Sequence, residues 1–366
     1  MDAFFRKFKY LDLPLLMAIF LLSFAGCALL YSTSYSSEVL NIFWRQVIFL
    51  GLGWLLFIFF CFFDYHTLAK NQRWYYVLLL IGLIYVLFFG QTVRGGNRWI
   101  NLWIFNFQPA EFAKIVCILG ISRILYLNRG GINSLLTLFK TLLYILIPVI
   151  LVLLEPDFGS ALVILGICLL SLLISPINKK HIALLIALGL IFSGFSWKFI
   201  LKDFQKSRIL VFLNPARDLR GEGYNVRQAV VAVGSGKIFG KGLALGSQSQ
   251  NRFLPERQTD FIFAASAEQV GLLGSLTLLI LFFILEWRLI KIMRSAKDDL
   301  GFFLVGGTYF LFLIHILINI GMNIGLLPVT GIPLPFLSAG GSFFLTIMIA
   351  LGISQNISLQ SKILRF

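Results

Sequence analysis

Charged residues are scarce in this chain, and their scarcity excludes an ordinary soluble protein. Asp, Glu, Lys and Arg make up 13% of the 366 residues, against about 25% in a typical soluble domain. Hydrophobic residues make up 58%, and the mean hydropathy is +0.89. The many apolar runs of membrane-spanning length therefore predict an integral membrane protein that crosses the bilayer repeatedly.

Cysteine and histidine are also rare, and the residue patterns of several common sites are missing. The four cysteines all lie in apolar runs and fit no zinc-binding spacing, so they are predicted to be packing residues. The three histidines have no metal-ligand spacing relative to one another. No phosphate-binding loop, dinucleotide-binding glycine fingerprint or nucleophile elbow is present.

The predicted fold class is all-α, a single polytopic membrane domain over residues 1–366 with about ten transmembrane helices. A β-barrel is disfavoured, because the runs are continuously apolar and do not alternate. The eighth and ninth runs are longer than the bilayer is thick, so tilt or an interfacial extension is expected. The predicted spans lie near residues 13–32, 42–63, 74–90, 107–126, 139–154, 158–175, 182–200, 259–287, 300–326 and 337–358.

Lysine and arginine in the short loops set the expected orientation. With a cytoplasmic N-terminus, most of them fall on the cytoplasmic side, and the opposite short loops hold only Arg45, Arg94 and Arg98. The positive-inside rule then predicts that both termini are cytoplasmic and that the loop at 201–258 faces outward.

The long loop at 201–258 is itself basic and rich in glycine. A loop approaching 60 residues can escape the charge rule. Its charge fits either a surface that rests on anionic headgroups or a face that binds a phosphate-bearing substrate. Nucleic acid is disfavoured as a partner, because no binding motif accompanies the charge. Residues 224–233 are predicted to form a short amphipathic helix. The glycines that follow indicate either tight turns with close backbone approach or, as the favoured alternative, a flexible glycine-rich loop.

An acid stands where this polar loop meets the eighth apolar run. Residues 251–263 read NRFLPERQTDFIF and place Asp260 at the mouth of the span, with Arg252, Glu256 and Arg257 before it. An ionisable residue at such a place is costly and tends to mark a functional site. Asp260 is therefore the leading candidate for a catalytic acid or base.

A second polar cluster, GGNRWINLWIFNFQPAEFAKI, occupies residues 95–115. Glu111 and Lys114 are three residues apart on one helical face, so they are predicted to pair. They form either a structural ion pair or part of a cavity that positions the catalytic acid. Arg98 and Trp99 precede this span at interfacial depth.

A third cluster, LLPVTGIPLPFLSAGGSFF, occupies residues 326–344, and its three prolines and three glycines cannot continue a regular helix. Broken backbone at membrane depth is tolerated only where it is buried in protein or lines a wet cavity. The segment is either a re-entrant turn beside the site or a simple loop. Ser338, Gly340 and Gly341 are predicted at the start of the last span.

Two further polar features have mainly structural interpretations. In EPDFGS, residues 155–160, Pro156 predicts a helix end and Asp157 fits the N-cap of the next helix. A ligand role for Asp157 is less favoured. His315 lies in the ninth predicted span, where it is expected to be a hydrogen-bonded packing residue.

Residues 214–271 carry NPARD, GEGY, GSG and GKG, SQSQ and LPERQTDFIFA. They resemble the long extracellular loop and eighth span of the SEDS (shape, elongation, division and sporulation) family, most closely its RodA branch. GGNRW…FQPAEFAKI and GMNIGLLPVTGIPLPFLSAGG are similar to two other signatures of the family, and the resemblance covers essentially the whole chain. The chain departs from the family at Gln258, Gln269 and Ala339, where His, an acid and Tyr are common.

The resemblance implies a peptidoglycan glycosyltransferase that polymerises lipid II on the outer face of the membrane. An α-linked donor and a β-1,4 product require inversion, and Asp260 is the expected general base for the attacking 4-hydroxyl. The leaving pyrophosphate needs positive charge. A divalent cation, Mg²⁺ or Mn²⁺, is one source; the protein candidates are Arg45, Arg98, Lys114, Arg252 and Arg257.

The resemblance also implies partners, namely a class B penicillin-binding protein transpeptidase and other membrane proteins of the elongation complex. Three alternatives stay open. The chain could be a lipid II flippase, which the buried Glu111–Lys114 pair and the broken 326–344 segment would suit. It could be a division-type enzyme of the FtsW branch, or a scaffold without chemistry, for which Asp260 has no evident purpose.

Overall fold

A computed structural model of the chain describes residues 10–34, 40–93, 96–101, 106–128, 134–199, 203–214, 218, 221–251 and 253–363. These residues form fourteen helices and three short strands. The helices are α1 Leu13–Ser34, α2 Leu40–Phe62, α3 Tyr65–Lys70, α4 Gln72–Phe89, α5 Pro109–Leu127, α6 Leu135–Leu154, α7 Phe158–Leu173, α8 Lys179–Phe199, α9 Asp203–Leu213, α10 Glu222–Ser235, α11 Ser247–Gln250, α12 Ile262–Ser295, α13 Asp299–Asn323 and α14 Gly341–Ile363.

The predicted polytopic membrane fold is confirmed, since a helix coincides with every predicted span. Seven helices of the described part of the chain (α1, α2, α4, α6, α12, α13 and α14) are long and apolar enough to cross a membrane. Helices α5, α7 and α8 coincide with the predicted fourth, sixth and seventh spans. A count of ten crossings stays a prediction.

Burial distinguishes the central helices from the peripheral ones. The most apolar window of α14 is 100% buried and that of α13 is 67% buried, whereas those of α2 and α4 are each only 22% buried. Helix α14 packs on α2, and α13 packs on α5, α7 and α12. Segments that lie against α13 and α14 are therefore held in the most constrained part of the molecule.

The first of two differences from the expected architecture is a small antiparallel sheet before α5. Strands β1 Gln91–Val93, β2 Gly96–Asn101 and β3 Asn106–Phe107 pair in sequence order. They are too short to show a regular alternation of apolar and polar residues, which is why the all-α prediction does not include them.

The second difference is a break in α12 at Gly271. This residue has φ +66°, a conformation that glycine adopts without steric cost. A Cβ there would collide with the backbone nitrogen of Gly240, so the long loop approaches the helix closely at this point. The excess length of the eighth predicted span is thus accommodated by a break. Helix α14 likewise begins at Gly341, later than the predicted 337, because residues 335–337 form a turn.

The described part of the long loop is ordered against α12. The predicted helix at 224–233 is confirmed as α10. Beyond it, Leu272 N donates to Lys237 O at 2.8 Å, and Gly242 N donates to Gln269 O at 3.0 Å. The expected flexible glycine-rich loop is therefore wrong for residues 236–250, whose glycines allow two backbones to come together.

Candidate active site

Asp260 lies in a turn directly before α12, as its position in the sequence predicts. The turn begins after Leu254, and the amide of Phe261 donates to the carbonyl of Glu256 at 3.1 Å. Asp260 is half-buried. Its backbone carbonyl accepts from the side-chain amides of Asn319 and Asn323, each at 3.0 Å. The turn is therefore attached to α13 through the main chain of the candidate base.

The segment at 328–340 closes around the same turn. Ser338 Oγ donates to the carbonyl of Thr259 at 2.6 Å and accepts from the amide of Leu334 at 2.8 Å. The amide of Ala339 donates to Gln258 O at 2.8 Å. Since Leu334 and Leu337 are fully buried, the broken backbone is enclosed by protein. A simple surface loop is thereby excluded for this segment.

Gly331 brings this segment close to the carboxylate of Asp260. It has φ +72°, and a Cβ built on it would lie 3.6 Å from Asp260 Oδ2. A side chain at position 331 would therefore contact the carboxylate.

Glu111 and Lys114 form the predicted ion pair, with Nζ 2.8 Å from Oε2. Both are buried. Lys114 Nζ also lies 3.3 Å from Nε2 of His315, whose Nδ1 lies 2.9 Å from the carbonyl of Pro333. Because a carbonyl only accepts, Nδ1 carries the proton and Nε2 accepts from Lys114. The pair is thereby linked to the 328–340 segment.

A further polar cluster joins the N-terminal ends of α5, α7 and α14. Gln108 Nε2 donates to Asp157 Oδ2 at 2.9 Å, and Asp157 Oδ1 accepts from the amide of Ser160 at 3.1 Å. The predicted N-cap role of Asp157 is thus confirmed. The backbone amide of Gln108 donates to Ser342 Oγ at 3.1 Å, which brings the start of α14 to the same place.

Arg98 binds the chain at the end of α6. Its Nε donates to the carbonyl of Glu155 at 3.1 Å, and its Nη2 donates to that of Pro156. The Glu155 side chain is buried, and within the described residues neither of its carboxylate oxygens has a hydrogen-bond partner. Burial, followed by the charge of Asp157, raises the pKa of Glu155 to about 8, against the opposing effect of Arg98.

The other predicted site residues near the turn have different surroundings. Glu256 is exposed and accepts from Thr259 Oγ1 at 3.0 Å. Arg257 is buried and donates to the carbonyl of Thr33 at 3.2 Å, which ties the turn to α1. Arg252 lies outside the described residues.

Three predicted residues lie on neighbouring elements. Trp99 is half-buried in β2, opposite Gln91. Arg45 is exposed on α2, next to Gln46, whose Oε1 accepts from the amide of Gly340 at 3.4 Å. Gly341 packs where a Cβ would collide with the ring of Phe49.

Three buried polar residues near the site were overlooked by sequence reasoning. Two of them are Asn319 and Asn323. The third is Glu268, whose carboxylate accepts from the amides of Gln248 and Ser249 at 2.9 Å and lies 2.9 Å from Lys241 Nζ. Each interrupts an apolar run, which is a signal that could have identified it. Glu268 holds the long loop onto the first part of α12.

Metal coordination by the protein finds no support in the described part of the chain. No group of three or more His, Cys, Asp or Glu side chains there is placed to hold an ion. A Mg²⁺ or Mn²⁺ ion bound with the substrate pyrophosphate stays a prediction, and no step proposed below depends on one.

Comparison with known proteins identifies the family to which this chain is similar. A family model for FtsW, RodA and SpoVE, described as a cell cycle protein, matches residues 11–363. The chain is 38% identical over 290 residues to the peptidoglycan glycosyltransferase MrdB of Escherichia coli K12, covering 79% of this chain and 78% of that protein. It is 36% identical over 362 residues to stage V sporulation protein E of Bacillus subtilis 168, covering 96% and 98% of the two chains.

Solved structures show the same fold. A chain of a peptidoglycan synthase complex, studied for the structural coordination of polymerization and crosslinking, aligns with a TM-score of 0.81 and 28% identity, covering 96% of this chain and 98% of that one. The fold and site define a polytopic helical membrane protein with a polar cluster at one end of its bundle. This chain belongs to the FtsW/RodA/SpoVE family, the SEDS family that its motifs indicate.

Proposed function

We propose that this chain polymerises lipid II into β-1,4 glycan strands at the outer face of the bacterial cytoplasmic membrane, with Asp260 as the general base. Its enzyme class, peptidoglycan glycosyltransferase, is that of its relatives. The observation that carries the assignment of the base is the placement of Asp260. Its carboxylate stands at the mouth of a span, in a turn fastened to α13 and to the 328–340 segment.

The reaction requires one group that takes a proton from the attacking hydroxyl. Inversion at the anomeric carbon in one displacement breaks the bond to pyrophosphate while the new glycosidic bond forms on the opposite face. Asp260 accepts the proton of the 4-hydroxyl as that bond forms, and the electron pair of the broken bond leaves with pyrophosphate. A base of this kind contributes about 100- to 10,000-fold in rate.

The leaving pyrophosphate is stabilised by positive charge. Among the described cations, our candidate to meet it is Arg45, which is exposed on α2 beside the residue that binds Gly340. Lys114 is committed to Glu111 and His315, and Arg98 to two backbone carbonyls, so both are assigned to positioning. Arg252 remains a candidate from sequence.

The biological setting is proposed from the relatives. We assign the chain to cell elongation and rod-shape maintenance, with a class B penicillin-binding protein transpeptidase and other elongation proteins as partners. The similarity to a chain of a peptidoglycan synthase complex supports such a partner. Both termini are assigned to the cytoplasm, on the strength of the lysine and arginine bias. A division role of the FtsW type is the alternative, supported by relatives of that name.

A second function, translocation of lipid II, is favoured by one observation. The Glu111–Lys114 pair is buried within α5, and ionisable groups inside a span often line a transport pathway. Against it, both members of the pair are satisfied by each other and by His315, as a structural pair would be.

The test uses the full chain with its cognate transpeptidase in liposomes that contain labelled lipid II. Glycan polymer made by wild type and lost with Asp260→Asn, at an unchanged melting temperature, is the expected result. Translocated lipid II without polymer would overturn the proposal in favour of the transporter. Polymer formed at the wild-type rate by Asp260→Asn would reject Asp260 as the base and leave the enzyme class intact.

A further inference from the structure

Two asparagines of α13 hold the main chain of Asp260. Asn319 and Asn323 are four residues apart, face the same side of the helix and are fully buried. Each donates its side-chain amide to the carbonyl oxygen of Asp260 at 3.0 Å. One carbonyl oxygen has two lone pairs, so this pair of bonds fully engages it.

Asn323 also substitutes for a missing helix cap. The N-cap position of α12 is Phe261, whose side chain cannot accept a hydrogen bond. Asn323 Oδ1 accepts from the amide of Ala264 at 3.0 Å, an amide in the first turn that has no partner within its own helix. The same side chain thus fixes the start of α12 and the residue that precedes it.

Asn319 connects Asp260 to the 328–340 segment. Its amide group donates to the carbonyl of Ile332 at 2.8 Å as well as to that of Asp260. Ile332 follows Gly331, the residue that approaches the Asp260 carboxylate. Asn319 therefore sets the separation between the candidate base and the segment that borders it.

We propose that Asn319 and Asn323 are positioning residues that orient Asp260 for proton abstraction. The inference rests on the proposed function, because it assigns them a role through Asp260. A base must lie within hydrogen-bonding reach of the proton that it takes. A displacement of the reacting groups by about 1 Å can cost about 100-fold in rate.

The two asparagines, Asn319 and Asn323, are called the clamp below. Leucine has nearly the shape of asparagine without its hydrogen-bonding groups, so Asn319→Leu and Asn323→Leu each remove one side of the clamp. The matched control is Asn356→Leu. Asn356 is also buried in a helix and donates to a backbone carbonyl, that of Cys61, at 2.8 Å. It lies fourteen residues beyond Ser342, about 20 Å further along α14.

Each variant is assayed as the full chain with its transpeptidase, measuring kcat and KM for labelled lipid II and the melting temperature. The clamp variants are expected to lose about 100-fold in kcat, with KM changed less than about threefold. Asn356→Leu, with a comparable fall in melting temperature, is expected to keep kcat. The inference would be overturned if, in both clamp variants, kcat falls no further than it does in Asn356→Leu for the same fall in melting temperature.

If the leucine variants do not fold, Asn319→Asp and Asn323→Asp are compared with Asn356→Asp by the same criteria. An aspartate at 323 keeps the acceptor for Ala264 N and loses the donor to Asp260. Asp260→Asn is run beside them. If it polymerises normally, the proposed base and this inference fail together; if it is inactive while the clamp variants are not, only the inference fails.

Discussion

At the residue scale, the buried charges of Glu111 and Lys114 are satisfied by close partners. Lys114 contacts Glu111, His315 and, 4.9 Å from the ring centroid, the face of Phe343. A pair so enclosed has lost its hydration, and removal of one member leaves an uncompensated charge. The pair is therefore expected to matter for folding as well as for the position of the 328–340 segment.

A double-mutant cycle separates these two effects. Glu111→Gln or Lys114→Met alone is expected to lower the free energy of unfolding by about 3–5 kcal/mol, because one buried charge is left unpaired. The double variant should recover part of that loss. Denaturant unfolding measures the stabilities. The polymerisation rate should be lower than that of wild type in all three variants. Additive losses of stability would show that the two residues do not interact.

Glu155 makes the stability of the protein depend on pH. Its pKa is raised from the ordinary 4.5 to about 8 in the folded state, chiefly by burial and then by the charge of Asp157. Between these two values the folded protein keeps a proton that the unfolded chain has released. Stability is therefore expected to fall as pH rises from about 5 to 8, by at most about 1.4 kcal/mol per pH unit.

Glu155→Gln mimics the protonated side chain and should flatten this dependence. The melting temperature of the variant relative to wild type is expected to rise steadily from pH 5 to pH 8. Parallel curves for the two proteins over that range would mean that Glu155 is already ionised at pH 5 in the folded state.

At the element scale, two glycines with positive φ shape the chain around the candidate site. Gly271 breaks α12 where Gly240 packs, and Gly331 bends the segment beside Asp260. A single glycine inside an apolar run is compatible with a continuous helix, so the sequence does not reveal which one breaks it.

Gly331→Ala tests the space beside the carboxylate. Its control is Gly325→Ala, since Gly325 has φ +75° against +72° and its Cβ would face Val230 instead of Asp260. Both variants should lose about 1–2 kcal/mol in unfolding free energy from the same backbone strain. Only Gly331→Ala should also lower the polymerisation rate, because its methyl group covers one side of Asp260. Equal polymerisation rates in the two variants would show that the space beside the Asp260 carboxylate is not needed for the reaction.

Elements defined by their own sequence were predictable, and contacts between distant segments were not. Apolar runs fixed the ten helical segments, and the i,i+3 spacing fixed the Glu111–Lys114 pair. The contacts of Lys114 with His315 and of Asp260 with Asn319 join residues 201 and 59 positions apart. Such contacts depend on how α5, α12 and α13 pack, which helical periodicity does not specify.

At the scale of the whole molecule, four separate stretches of chain converge on one end of the bundle. The turn before α12, the C-terminal half of α13, the 328–340 segment and the start of α5 are joined by side-chain hydrogen bonds. The polar groups of these four stretches thus gather at one end of the bundle. This distribution suits a membrane enzyme that acts on a lipid-linked substrate better than a transporter.

The most direct measurement is the rate of lipid II polymerisation by Asp260→Asn and by Glu256→Gln, side by side. Both carboxylates lie in one turn four residues apart, and Glu256 is the exposed one. Asp260→Asn is expected to be slower than wild type by about 100- to 10,000-fold, while Glu256→Gln stays within about threefold. A large loss in Glu256→Gln with polymer still made by Asp260→Asn would contradict the assignment and move the base to Glu256.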